Sequence, residues 1–107
     1  MIRMRNLATT IFVLSIAPLG FGQSIHPHAF LEEHCFKCHG EEKQKGDRRL
    51  DELTLDFGDR DTAWAWDEVL DMLNLGDMPP EDEPRPNAEA VKEMVSWITE
   101  ELAACRT

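Results

Sequence analysis

A chain of 107 residues with a formal net charge of −10 at pH 7 has room for one small domain. The acidic balance argues against nucleic acid and anionic membrane surfaces as partners. So small a domain buries little apolar surface, which favours a bound metal or cofactor as a staple, and an odd count of three cysteines argues against a disulfide framework.

Residues 1–22 read as a secretory signal peptide. Arg3 and Arg5 supply the positive start. An apolar run from Leu7 to Phe21 follows, broken by Thr9, Thr10, Ser15 and Pro18, and Gly20 and Gly22 suit the positions before a cut at Gln23. The run is short and interrupted for a membrane-spanning helix. The expectation is therefore a periplasmic or otherwise exported protein with no membrane insertion after cleavage. Residues 23–27 read as a linker, 28–104 as the domain and 105–107 as a tail.

A helix is expected from about Pro27, a residue that suits the first turn because its missing N–H is not needed there. Phe30 and Leu31 would form its buried side. His26, His28 and His34 read as polar residues around the helix start, with His34 facing away from the segment that follows. That segment, Cys35-Phe36-Lys37-Cys38-His39, has the spacing of a c-type haem attachment site. On a helix, residues three and four apart share a face, so the two thiols point one way and the imidazole follows them. Two thioethers and a proximal iron ligand, His39, then come from five residues. An export signal fits, because c-type haem is attached outside the cytoplasm. A thioredoxin-like redox pair would want a βαβ context, which is missing. A structural zinc module built on Cys35, Cys38 and His39 would need a fourth ligand.

Gly40 to Gly46 reads as a charged loop. From Arg48 to Phe57, the recurrence of Leu50, Leu53, Leu55 and Phe57 is consistent with a short strand or with a loop lining a cofactor edge. Arg48 and Arg49 read equally well as partners for haem propionates and as plain surface charge. Asp61 or Thr62 can cap a second helix that ends before Gly76. Its apolar stripe is Trp66, Val69, Leu70 and Leu73, with Met72 on the flank as packing and Trp64 on another face.

Gly76-Asp77-Met78-Pro79-Pro80 is a stiff loop, because the prolines restrict the backbone on either side of their peptide bonds. Such a loop can present the Met78 thioether at a fixed point as a sixth iron partner, or that position stays open. An acidic, Pro-rich stretch from Glu81 to Pro86 follows. Asn87 then caps a last helix to about Ala104 with Val91, Met94, Val95, Ile98 and Leu102 as its stripe, expected to pack across the first helix. Cys105 reads as a free thiol in the tail.

Taken together, Phe30-Leu31, His34-Cys35-x-x-Cys38-His39-Gly40, Lys45-Gly46, Arg49-Leu50-Asp51, Trp66-x-x-Val69, Gly76-Asp77-Met78-Pro79-Pro80 and Arg85-Pro86 closely resemble the planctomycete-type cytochrome c domain over about residues 28–104. The resemblance implies an all-α, small cytochrome c-like fold, with three main helices wrapped around one covalently bound haem c. It implies attachment through Cys35 and Cys38, His39 as proximal ligand and Met78 as distal ligand. Two departures stand out. Asp47 follows Gly46 where relatives often have a second glycine. No proline lies between Pro27 and Pro79, so a carbonyl other than the usual proline's must accept from the free His39 nitrogen.

The function so implied is a mono-haem electron carrier, not an enzyme, since two axial ligands leave no open coordination position. The acidic balance suggests redox partners with a basic docking surface. A haem-based sensor, and an electron-input module of a larger enzyme, are the alternatives.

Overall fold

The computed structural model describes residues 10–14 and 25–106. The signal-peptide reading falls largely outside the described residues. Residues 10–14 are irregular, and among the described residues no helix is long and apolar enough to cross a membrane.

Among the described residues three α-helices and one 3-10 turn (Lys45–Asp47) make up the regular structure, in agreement with the expected all-α class: α1 (Pro27–His34), α2 (Arg60–Leu75) and α3 (Ala88–Cys105). Pro27 opens α1. The helix stops one residue before Cys35, sooner than expected, and the motif itself is a series of turns.

The cap of α2 is Asp59, upstream of the expected Asp61 or Thr62. Its carboxylate accepts from the Thr62 backbone N–H at 2.9 Å and from the Thr62 hydroxyl at 2.8 Å. Thr62 therefore satisfies the cap from the third helical position, a place from which it cannot also be the cap. At the other end Gly76 takes the left-handed conformation (φ 71°), which a residue without Cβ adopts freely. Asn87 caps α3, as expected, by accepting from the Glu89 N–H at 2.8 Å. α3 extends to Cys105, one residue beyond the expected end near Ala104.

No strand forms between Arg48 and Phe57. The backbone bonds there are local, as from the Leu53 N–H to Leu50 and from the Phe57 N–H to Leu55, and a strand needs a ladder partner. The segment is instead a wrapped loop, pinned where the buried Trp66 indole donates to the Thr54 carbonyl at 2.8 Å.

The core lies mainly between α2 and α3, so α3 packs chiefly on α2 and not across α1 as expected. Trp66, Val69, Met94, Ile98 and Leu102 fill it, with Phe30 and Leu31 of α1 and Phe57 of the loop joining from the side. Phe57 stacks on Trp66 (centroids 5.6 Å apart), and Trp97 meets both rings edge-on. Such offset and edge contacts are the favourable aromatic geometries. α1 is only eight residues long and too short to be crossed by an 18-residue helix over most of its length. It contributes one buried face and then delivers the chain to the motif.

The Thr62 bonds hold Asp59 below the ordinary carboxylate value of 3.8. A lowered folded-state pKa means that the cap's contribution is complete above 3.8 and is lost as pH falls through the depressed value. Asp59→Ala should therefore lower the Tm at pH 7 in a calorimetric scan, and its gap from the parent chain should narrow as the pH drops below 3.8. A gap that stays constant into strong acid would remove Asp59 as the cap.

Candidate functional site

A cleft of about 680 Å³ opens between the end of α1, the turns that follow it, one face of α2 and the Met78 loop. Cys35, Cys38, His39 and Met78, the four residues singled out from the sequence, all line it. Much of the remaining wall is apolar, from Phe30, Leu50, Val69, Leu73 and Pro79.

The turns preserve helical spacing without being helix. The Cys35 N–H still donates to Leu31 at 2.8 Å, and the His39 N–H donates back to the Cys35 carbonyl at 3.0 Å. The chain then reverses at Gly40, which is buried. A Cβ there would stand 2.5 Å from the Phe36 carbonyl oxygen, well inside contact distance. The reversal lets the following loop tie onto the motif's own backbone. Cys38 accepts from the Lys45 N–H at 2.9 Å and His39 from the Leu50 N–H at 2.8 Å, while Gly40 donates to Lys43 at 2.7 Å. None of this anchoring was visible in the charged composition of residues 40–46; the one signal for it was the glycine directly after the histidine.

The His39 ring does not find the carbonyl expected of it. Its Nδ1 is buried and has no hydrogen-bond partner. Buried polar atoms are rarely left so. Either imidazole nitrogen can ligate a metal while the other holds the proton, and with Nδ1 enclosed the nitrogen that His39 can offer to the cleft it lines is Nε2.

The two motif cysteines are free thiols. Burial, and secondarily the neighbouring Cys38, push Cys35 up to about 11, so at neutral pH it is a thiol and not a thiolate. Among the described residues no three His, Cys, Asp or Glu side chains converge as a metal site requires, so these residues offer no zinc donor set. A thiol pair, an imidazole and a thioether along an apolar cleft do fit a covalently held haem.

Met78 is 38% exposed. Its loop is clipped at the base, where Arg85 donates to the Gly76 carbonyl at 3.3 Å, and within its length by a turn from the Glu83 N–H to Pro80 at 3.0 Å. Met72, read from the sequence as packing on the helix flank, also lines the cleft, so two thioethers border it. His34 differs from expectation as well: it lines the cleft. Its ring lies 4.8 Å from Phe30, four residues earlier on the same helix face, and Phe30 is itself part of the wall.

The two arginines separate. Arg48 lines the cleft, pairs with Glu68 at 2.6 Å and lies 4.7 Å over the Trp64 ring, which explains why Trp64 can sit outside the core. Arg49 faces away, paired with Asp51 at 2.7 Å and Glu52 at 3.2 Å. Its hydrogen bond holds the Asp51 carboxyl below the usual range.

Residues 35–82 match the protein family described as Planctomycete cytochrome C. The match begins at the first motif cysteine and ends within the Met78 loop, four residues past Met78, so it spans every wall of the cleft except the end of α1 and the last residues of the loop. No curated protein and no solved structure matches the chain.

Gly40→Ala should force the Phe36 carbonyl away and destabilise the fold by about 1–3 kcal/mol, the usual range for overpacking. Denaturant titration of this variant beside Gly58→Ala, a surface control, measures it. Equal midpoints would mean that the close approach at Gly40 carries no weight.

Proposed function

We propose that this chain, whose residues 35–82 match the planctomycete cytochrome c family, is an exported mono-haem c-type cytochrome that carries single electrons. The observation behind this reading is that Cys35, Cys38, His39 and Met78 all line one largely apolar cleft. Haem c would supply reversible one-electron exchange at its iron. The chain's own residues do the rest. Cys35 and Cys38 would tether it through thioethers, and His39 and Met78 would donate to its iron. Phe30, Leu50, Val69 and Leu73 exclude water. Arg48 brings a positive charge to the cleft wall, suited to a propionate. A neutral thioether donor favours the reduced ion and so raises the potential. With both donors coming from the chain, no position at the iron would remain for a substrate, which suits a carrier and not an enzyme.

Export rests on the N-terminal pattern, from Arg3 to Gly22. Docking by a basic redox partner rests on the net charge of −10 and on Glu81 and Asp82, both exposed beside the Met78 loop. The exposure of Met78 favours one second reading, a haem-based sensor in which the thioether gives way to a small ligand. An electron-input role within a larger enzyme would use the same cleft.

Protein produced with haem-attachment machinery and recovered from the periplasm should have the intact mass of a chain starting near Gln23 plus one haem, retained under denaturing conditions. Replacing both Cys35 and Cys38 by Ala should abolish that added mass. Met78→Ala should keep the haem, lose the weak far-red sulfur-to-iron band of the oxidised protein and lower the midpoint potential. Met72→Leu should leave both unchanged; because Met72 shares the cleft, loss of the band in this variant alone would transfer the distal role to it. Rapid binding of carbon monoxide to the reduced parent protein would favour the sensor. Electron-transfer rates with a basic partner should fall as ionic strength rises, and salt-independent rates would refute charge-steered docking.

A further inference from the structure

Lys37 and Glu83 join two distant stretches of the chain across the mouth of the cleft. Lys37 lies between the two motif cysteines, and Glu83 lies on the loop that carries Met78. The Lys37 Nζ donates to both carboxylate oxygens of Glu83, at 3.1 Å each. The partners are not equivalent: the Glu83 side chain is 24% exposed and that of Lys37 71%, and both residues line the cleft. Glu83 is also held from its own side, by the turn to Pro80, while Arg85 closes the base of the same loop on Gly76. The loop is thus a preformed hook, and the lysine is the solvated arm that fastens it to the turn bearing His39. Met78 lies between the hook's base and its fastened tip.

We propose that the Lys37–Glu83 ion pair is a latch that holds the Met78 loop across the cleft and sets how readily the Met78 thioether yields its place to an external ligand. The inference rests on the haem reading above, because the exchange it governs occurs at the haem iron. Lys37 and Glu83 are positioning residues that act through Met78. Magnitude limits the claim. An exposed pair contributes little, and Pro79, Pro80 and Arg85 restrain the loop independently. The latch therefore tunes the rate of exchange and leaves the identity of the ligand unchanged.

The test uses oxidised, haem-loaded protein at about pH 8, where imidazole is uncharged. The rate of imidazole binding is followed by absorbance. Lys37→Gln and Glu83→Gln should each bind imidazole about two- to fivefold faster than the parent, the range that an exposed ion pair can carry. The swapped pair, Lys37→Glu with Glu83→Lys, should return to the parent rate. Salt should narrow the gap between the parent and the single variants by screening the pair. Amide exchange over residues 77–83 should rise in the single variants and return to the parent level in the swap, a readout that a merely solubilising surface pair would not move. Parent-like imidazole rates in both single variants, or a swap that stays fast, would overturn the latch while leaving the cytochrome reading intact. Absence of haem from the intact mass of the parent would overturn both.

Discussion

The cleft depends on a backbone constraint at one point, the reversal at Gly40 beneath the Phe36 carbonyl. Because the chain can fold back there without a side chain, the loop that follows satisfies the Cys38 and His39 carbonyls with the N–H groups of Lys45 and Leu50. Buried backbone groups must find partners, and here they do so within a dozen residues. The cysteines and the histidine are thereby fixed relative to one another by main-chain bonds before any distant element is involved.

The second half of the cleft is built on a different principle. α2 is held by packing against α3, with Trp66, Met94 and Ile98 at the centre, and it presents Val69, Met72 and Leu73 to the cleft as one edge of that packed surface. The Met78 loop leaves α2 at a left-handed glycine, so its direction is set by how the helix ends. One wall is thus specified by local hydrogen bonds and the other by the core. A core mutation would move the α2 wall while leaving the motif turns intact.

Much of this was legible in the sequence because it rests on short-range signals. The Cys35–His39 spacing, the apolar stripes of α2 and α3, Gly76 and the Asn87 cap each follow from a few neighbouring residues, and each appears in the structure. The failures were of two kinds. Some came from choosing between adjacent candidates: Asp59 and not Asp61 caps α2, because the choice depends on which backbone N–H lies in reach. Others needed tertiary information. No carbonyl accepts from the His39 ring Nδ1, His34 turns inward with Phe30, Arg48 and Arg49 part company, and α3 packs on α2 and not across α1. No periodicity encodes these, since they depend on which surfaces meet. The unpaired Nδ1 of His39 is of this second kind.

The half-buried setting of Cys35 bears on its reactivity. Its sulfur stands in the wall of the cleft, and burial pushes the thiol up. The thiolate is the reactive form of cysteine, so the folded wall gives this sulfur a smaller reactive share than an open stretch of chain would.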